Sequence, residues 1–137
     1  MSTTYFTDRD LGKRFPAALR AAGIFVEEHA SHFRHDTPDD VWIPEVARRG
    51  WIAVSHDARI RYKPNEKDAV LQSGLGLIIL VGKVPHDQLA RNFIESIARI
   101  DRFVGTESKP FIAKLYLPGV AKRDGKESRG GRIERWV

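Results

Sequence analysis

The chain has 137 residues, 42% of them hydrophobic, and a formal net charge of +5 from 23 Lys and Arg against 18 Asp and Glu. This length fits one domain with one core, and the absence of cysteine excludes disulfides and thiolate metal sites. The apolar runs are too short to cross a bilayer and the first residues lack a signal-peptide layout, so we expect a cytoplasmic protein with no membrane partner. The basic balance favours a polyanionic partner such as a nucleic acid.

The start of the chain predicts two short strands separated by a helix. Residues 4–7 are β-prone and end at Asp8. Apolar positions then recur at helical spacing: Leu11, Phe15, Leu19 and Ala22. Gly23 ends this helix, residues 24–26 predict the second strand, and residues 27–36 predict a loop.

The next segment predicts a helix with acids in its first turn. Thr37 is interpreted as the N-cap and Pro38 as the first helical residue. Asp39 and Asp40 follow, where the positive end of the helix dipole favours negative charge. Pro44 lies further on, and it predicts either a kink or a later start of the helix.

The remainder alternates strands and helices. The predicted elements are a strand at residues 51–55, a helix at 64–73, a doubly buried strand at 74–81, a long helix at 87–104 and a strand at 111–117 on an edge of the sheet. This alternation predicts a mostly parallel central sheet with helices on both faces, which is a three-layer α/β/α fold.

The end of the chain differs in composition from the rest. Residues 119–137 hold six Lys or Arg against three acids and are rich in glycine. We therefore expect one domain at residues 1–118, followed by a flexible basic tail. A solubilising role and contact with nucleic acid are equally consistent with this tail.

Aspartates from distant segments are predicted to meet at one edge of the sheet. Asp8 follows the first strand, Asp57 follows the third, and Asp40 opens the helix that leads into the third strand. Ligands bind beyond the carboxyl ends of parallel strands, where crowded carboxylates repel one another. A hard divalent cation, Mg²⁺ or Mn²⁺, relieves that repulsion. The alternative is that each acid only caps a helix or turn.

Two segments carry a family resemblance: YFTDRDLGKRFPAALRAAGI and TPDDVWIPEVARRGWIAVSHDARI. Over about residues 4–81 the chain resembles the PIN-like ribonuclease family, in particular the short VapC-type toxins. The family pattern is a strand ending in Asp, a helix opening with Asp, and a strand running into a Thr/Ser-x-Asp turn with an Arg nearby. Here those positions are Asp8, Asp40 and Ser55-His56-Asp57 with Arg59.

The resemblance implies a PIN-like fold, RNA cleavage that depends on Mg²⁺ or Mn²⁺, and a toxin role with a cognate antitoxin. The catalytic metal ligands would be Asp8, Asp40 and Asp57. A fourth acid that many members carry is missing after the strand at residues 74–81. The candidates for its place are Asp10, Asp39 and Glu45. The missing acid leaves open a non-catalytic RNA-binding or regulatory PIN-like module with a degenerate site.

Basic side chains near these acids are predicted to hold RNA phosphates. They follow Asp57 or lie close to Asp8: Arg59, Arg61, Arg9, Lys13 and Arg14. An ordinary solvated surface explains each of them equally well. The apolar stripe of the helix at residues 87–104 fits a core helix or the interface of a homodimer.

Two further patterns suggest other functions. His29, His32 and His35 form an H-x2-H-x2-H series, which fits zinc ligands or surface histidines. A receiver-like regulatory domain would also gather aspartates around Mg²⁺ at a sheet edge. Such a domain would have a Thr or Ser followed by a Lys late in the chain; that pattern is missing here, although Lys114 keeps the alternative open. The basic charge of the chain counts against this second alternative.

Overall fold

The computed structural model describes residues 2–56, 64–118 and 131–137, without the side chains of residues 64–66. Within these residues the strands are β1 Thr4–Thr7, β2 Phe25–Glu28, β3 Ile52–Ser55, β4 Gly76–Leu80, β5 Phe111–Leu115 and β6 Ile133–Arg135. The helices are α1 Arg14–Ala21, α2 His29–His32, α3 Asp39–Arg48, α4 Pro64–Ser73, α5 His86–Glu95 and α6 Ile97–Thr106. A 3-10 turn, Arg9–Leu11, joins β1 to α1.

The strands form one sheet in the order β2-β1-β3-β4-β5-β6. All neighbouring pairs from β2 to β5 are parallel, and β6 runs antiparallel to β5. Tyr5 is level with Ile52 and Ile52 is level with Gly76, so β1, β3 and β4 end at the same edge. The predicted mostly parallel sheet is confirmed.

A hydrophobic core lies on each face of the sheet. Tyr5 packs against Phe93 of α5 with ring centroids 5.2 Å apart, whereas Phe6 packs against Trp42 of α3 at 5.4 Å. This change of face between neighbouring residues is the period of two that a strand imposes. All five residues of β4 are buried, as its continuous apolar sequence predicts. The three-layer α/β/α prediction is confirmed.

The predicted single helix at residues 87–104 is wrong, because the chain forms α5 and α6 with a break at Ser96. The hydroxyl oxygen of Ser96 accepts a hydrogen bond from the backbone N–H of Gly131 at 2.8 Å. The break therefore coincides with the place where the end of the chain docks. Apolar residues continue at helical spacing on both sides, which is why the sequence pattern reads as one helix.

The predicted loop at residues 27–36 is also wrong in part. Glu27 and Glu28 belong to β2, in register with Phe6 and Thr7 of β1, and the short helix α2 follows directly. Both glutamates are half-buried, and each has a cationic or histidine partner: Glu28 pairs with Arg20 and Glu27 lies beside His32. The strand propensity of Glu is low, so the sequence gives no sign that β2 extends to Glu28.

The start of α3 lies later than predicted. Pro38 is the N-cap and Asp39 the first helical residue, so Thr37 is not the cap. The carbonyl oxygen of Thr37 instead accepts a hydrogen bond from Arg9 Nη1 at 3.0 Å. Pro44 lies inside the helix, which continues to Arg48.

The end of the chain departs most from prediction. β5 is an interior strand, because β6 pairs with it, with Leu115 opposite Ile133 and Ala113 opposite Arg135. Residues 133–135 are therefore part of the sheet and not of a flexible tail, while residues 119–130 lie outside the described residues. No helix in the described part of the chain has the length and apolar character needed to cross a membrane.

Candidate functional site

The carboxyl ends of β1 and β3 meet at the predicted site edge. β1 ends at Thr7 and continues into Asp8, whose backbone N–H donates a hydrogen bond to the carbonyl of Val54 at 3.0 Å. β3 ends at Ser55, directly before His56. The parallel register thus places Asp8 beside the carboxyl end of β3.

Asp8 is the acid most affected by its surroundings. Its side chain is 12% exposed, and its Oδ1 accepts a hydrogen bond from the backbone N–H of Arg9 at 2.7 Å. Burial, followed by the negative charges of Asp10 and Asp39, raises its pKa to about 7, although Arg9 opposes this rise. At neutral pH this carboxyl is therefore only partly ionised, and a cation beside it would favour the ionised form.

Asp10 lies in the 3-10 turn after β1 and links it to the end of β3. Its Oδ2 accepts hydrogen bonds from Ser55 Oγ at 2.9 Å and from the backbone N–H of His56 at 3.1 Å. Its charge is also the largest electrostatic cause of the raised pKa of Asp8. The structure therefore brings Asp8 and Asp10 into one group of acids.

The two acids at the start of α3 have different surroundings. Oδ1 of Asp39 accepts hydrogen bonds from Arg9 Nη2 at 3.0 Å and from Trp42 Nε1 at 2.7 Å. Asp40 is exposed, and within the described part of the chain it makes no hydrogen bond or ion pair. Asp39, not Asp40, is thus the acid of this turn whose charge reaches Asp8. The role of Asp40 as a metal ligand stays a prediction.

Arg9 is predicted from the sequence to hold RNA phosphates, but in the structure its guanidinium contacts protein acceptors. Its guanidinium donates to the carbonyl oxygens of His35 at 2.6 Å and Thr37 at 3.0 Å, besides Asp39, and its Nε lies 3.6 Å from Asp8 Oδ1. It therefore ties the loop after β1 to the segment before α3 and partly neutralises the acids. Its place next to Asp8 in the sequence predicts that it lies close to the acids, but not these hydrogen-bond partners.

The remaining predicted site residues lie around this group or outside the described residues. Glu45 receives hydrogen bonds from Arg48 and Arg49, which lower its pKa, so its charge is already compensated. Lys13 and Arg14 are exposed at the start of α1, and Lys13 lines a cavity beside Asp8. One predicted metal ligand and two predicted phosphate-binding residues lie outside the described residues: Asp57, Arg59 and Arg61.

The three histidines of the H-x2-H-x2-H series do not converge. His29 is buried, His32 Nε2 lies 2.6 Å from Glu27 Oε1, and His35 is exposed. Burial, and then the charge of Arg9, lower the pKa of His29 to about 4, so its imidazole is neutral at pH 7. The structure gives no support to the zinc alternative.

Across residues 2–56, 64–118 and 131–137, no group of three His, Cys, Asp or Glu side chains is arranged to hold a metal ion. Asp8 and Asp10 nevertheless offer carboxylate oxygens at one place, with a charge repulsion that a cation would relieve. This donor set fits Mg²⁺ or Mn²⁺, since Mg²⁺ commonly takes one or two carboxylates and keeps several waters. It does not fit a metal whose ligands are all protein side chains.

His56 and His86 lie at the same edge of the sheet. His56 Nε2 is 2.6 Å from the carbonyl oxygen of Gly82, and its ring centroid is 6.1 Å from that of His86 at the start of α5. Lys114 instead lies in β5 with its Nζ 5.5 Å from the ring of Trp136, so it contributes a cation–π contact there.

Comparisons with known proteins agree with this geometry. Residues 3–82 match a family model described as a PIN-like domain. A curated relative, the putative ribonuclease VapC45 of Mycobacterium tuberculosis, is 34% identical over 120 residues, which cover 81% of this chain and 84% of the relative. No solved structure matches the chain. The matched region runs from the residue before β1 to Gly82, so it includes every acid of the site.

Proposed function

This chain belongs to the PIN-like domain family, and from that premise we propose that it is a metal-dependent endoribonuclease that acts in the cytoplasm. The observation that carries the proposal is the buried Asp8 at the carboxyl end of β1, whose pKa is raised to about 7 mainly by burial and by the charge of Asp10. Such a shift, at the edge where parallel strands place their ligands, is typical of functional acids.

Asp8 and Asp10 would hold the Mg²⁺ or Mn²⁺ ion, together with the predicted ligands Asp40 and Asp57. When bound, the ion lowers the pKa of a coordinated water and neutralises charge on the phosphate oxygens. Asp10 keeps its position through Ser55 and His56, so the acids are fixed in place before substrate arrives.

The basic residues around the acids would bind the RNA backbone. Lys13 and Arg14 are exposed at the start of α1, and Lys13 lines the same cavity as Asp8, so their charges are available to phosphate groups. Arg59 and Arg61, which follow Asp57 in the sequence, are proposed to act in the same way. Arg9 differs from these residues, because its guanidinium is already occupied by protein acceptors.

We further propose that the protein is the toxin of a type II toxin–antitoxin pair, as the name of its relative suggests for that protein. Its cognate antitoxin would then be encoded by a neighbouring reading frame, and the two proteins should co-purify when expressed together. A homodimer is a further proposal, to be tested from the mass of the protein in solution.

A second candidate function is a non-catalytic RNA-binding module of the same family. It is favoured by Arg9, which already compensates Asp8 and Asp39, and by the lack of a three-residue metal group among the described side chains. The family match leaves no support for the receiver-like alternative.

The experiment that separates these functions is RNA cleavage after removal of metal with a chelator. The nuclease proposal predicts no cleavage in the chelator and recovery on addition of Mg²⁺ or Mn²⁺. It also predicts that Asp57→Asn abolishes cleavage while retaining RNA binding. Cleavage that persists in the chelator would contradict metal dependence, whereas RNA binding without cleavage in either cation would favour the non-catalytic module.

A further inference from the structure

One face of the β5–β6 pair carries charged and aromatic side chains. Opposite residues of an antiparallel pair share a face with alternate residues along each strand. The side chains that share this face are Ile112, Lys114, Tyr116, Arg132, Glu134 and Trp136. Of these six only Ile112 is buried, and the other five are half-buried or exposed. Leu115 and Ile133 instead pack in the core on the opposite face, in the same cluster as Phe93 of α5.

Trp136 lies at the centre of a group of cations. Its side chain is 40% exposed, and its ring centroid lies 5.1 Å from Nζ of Lys67 in α4 and 5.5 Å from Nζ of Lys114. Within the part of the chain that the structure describes, neither lysine forms an ion pair with an acid. Two positive charges therefore converge on one exposed aromatic ring and remain available to an anion.

A second aromatic ring on this face also has a cation over it. The guanidinium carbon of Arg132 lies 4.9 Å from the ring centroid of Tyr116, and Arg132 Nε lies 3.0 Å from Glu134 Oε1. Glu134 thus compensates Arg132, and the charges of Lys67 and Lys114 remain in excess. We call this group the β5–β6 surface: Lys67, Lys114, Tyr116, Arg132, Glu134 and Trp136.

The chemistry of the β5–β6 surface matches a single-stranded nucleic acid. An unpaired base can stack on an exposed aromatic ring or a guanidinium plane, while lysines bind the phosphates on either side of it. A duplex fits less well, because its bases are already paired and stacked. An apolar protein segment also fits less well, because the neighbours of Trp136 on this face are charged.

The β5–β6 surface lies within reach of the acid edge. Tyr116 directly follows β5, at the same edge of the sheet where Asp8 follows β1. Three strand spacings separate β1 from β5, or roughly 14 Å. Trp136 pairs with Ile112, four residues before Tyr116, so it lies roughly 13 Å further from that edge. A strand of several nucleotides spans this distance.

We propose that the β5–β6 surface binds single-stranded RNA, with one base stacked on Trp136 and the neighbouring phosphates bound by Lys67 and Lys114. The inference rests on the proposed function, because the strand bound here would continue to the acid edge around Asp8. It makes unpaired RNA the substrate class. It also predicts that nucleotides several positions from the scissile phosphate contribute to affinity.

The test is the affinity for a fluorescent single-stranded RNA of about 12 nucleotides, within the span of about 4–16 that such sites cover. Fluorescence anisotropy in a chelator measures binding without metal-dependent cleavage. Trp136→Leu should weaken binding at least about fivefold, since stacking of one base is lost. Trp136→Phe keeps an aromatic ring and should retain most of the affinity.

The matched control is Phe25→Leu, which changes another exposed aromatic residue, on the strand at the opposite edge of the sheet. This variant should bind the RNA as the parent does. A duplex RNA of the same length provides a second control. Its affinity should be the same for the parent and Trp136→Leu, because its paired bases do not stack on the ring.

The lysines are tested through the salt dependence of binding. Replacing Lys67 and Lys114 by Gln together should reduce the slope of log affinity against log salt by about 1.4, or about 0.7 for each lost phosphate contact. Replacing Arg91 and Arg102 by Gln removes the same charge from α5 and α6, which pack on the opposite face, and should leave the slope unchanged.

Three results would overturn the inference. The first is an affinity of Trp136→Leu for the single strand within about twofold of the parent, even if the variant melts lower, since Trp136 would then serve only the docking of β6. The second is an equal loss of affinity for the duplex. The third is unchanged RNA affinity with loss of antitoxin co-purification, which would make this surface a protein interface.

The result is separable from that for nuclease activity. If Trp136→Leu binds RNA as the parent does and the parent cuts RNA with Mg²⁺ or Mn²⁺, the binding surface is wrong and the nuclease proposal stands. If Trp136→Leu loses affinity for the single strand but the parent cuts no RNA with either cation, the nuclease proposal fails and the binding surface stands.

Discussion

Asp8 and Arg9 set the electrostatic state of the site. Burial and the neighbouring acids raise the pKa of Asp8 to about 7, while the charge of Arg9 holds it from rising further. The guanidinium of Arg9 contacts Asp8, Asp39 and two backbone carbonyl oxygens. A cation bound beside Asp8 would also favour its ionised form.

The raised pKa of Asp8 predicts a pH-dependent effect on stability. The folded protein holds a proton on Asp8 up to about pH 7, whereas the unfolded chain releases it near the ordinary value of 3.8, so this group makes stability fall as pH rises between these values. Asp8→Asn does not titrate and should be more stable than the parent at pH 8, by on the order of 2 kcal/mol, and little different at pH 4.

Urea unfolding at the two pH values measures this difference. The exposed Asp40→Asn variant is the control and should follow the parent. A stability difference between Asp8→Asn and the parent that is equal at pH 4 and pH 8 would contradict the assignment of the raised pKa.

The sequence predicted part of this site and missed the rest for physical reasons. Asp8 could be located because a strand end and a sheet edge coincide there. That the charge of Asp39 acts on Asp8 could not be predicted, since one residue turns a side chain by about 100° around a helix and α3 starts later than its sequence pattern indicates.

Among the elements, β4 depends on the small size of its first residue. A Cβ atom on Gly76 would lie 2.8 Å from ring atoms of Phe111 and 2.9 Å from Ile52 Cδ1. Phe111 and Ile52 belong to the strands on either side of β4, in register with this glycine. The glycine thus lets two large side chains meet across the centre of the sheet.

Gly76→Ala should therefore destabilise the protein by about 1–3 kcal/mol, the usual cost of overpacking a core. Gly105→Ala in α6 is the matched control, because no described atom outside its own helix surroundings lies within 4 Å of its Cβ position. That change should be neutral or stabilising by up to about 1 kcal/mol, since Ala favours helix over Gly. Thermal unfolding of both variants measures this difference, and equal melting temperatures would contradict the crowding at Gly76.

Helices and strands could be predicted where one local hydrophobic pattern covers the whole element. They could not be predicted where a contact with a residue far along the chain sets the bounds of the element. The apolar run of β4 reads correctly because a doubly buried strand requires it. The break between α5 and α6 involves Ser96 and the distant Gly131, so local periodicity cannot reveal it. β6 is similar, as its residues are mostly polar and pair only because β5 is available.

In the whole molecule, the end of the chain completes the sheet. Gly131 donates to Ser96 Oγ at 2.8 Å and its carbonyl accepts from Arg99 Nη1 at 2.6 Å, while a Cβ there would overlap the carbonyl oxygen of Tyr116. Backbone hydrogen bonds also join Trp136 and Val137 to Ile112. This segment covers an edge that β5 would otherwise expose.

Truncation after Pro118 should therefore lower the melting temperature by several degrees and promote association, since an uncovered β5 presents free main-chain groups. A flexible tail, as composition alone suggests, predicts no change in melting temperature. Differential scanning calorimetry measures the melting temperature and light scattering the state of association. A truncated chain that stays monomeric and melts at the temperature of the parent would contradict the docking of β6.

The central claim is that the acid edge around Asp8 cuts RNA with a divalent cation. The most direct measurement is the initial rate of RNA cleavage by Asp8→Asn relative to the parent with Mn²⁺ at pH 8, with exposed Asp87→Asn as the control. The account predicts a loss of about a hundredfold or more for Asp8→Asn, with the fold intact, and a rate near that of the parent for Asp87→Asn. An Asp8→Asn rate within about twofold of the parent would contradict it.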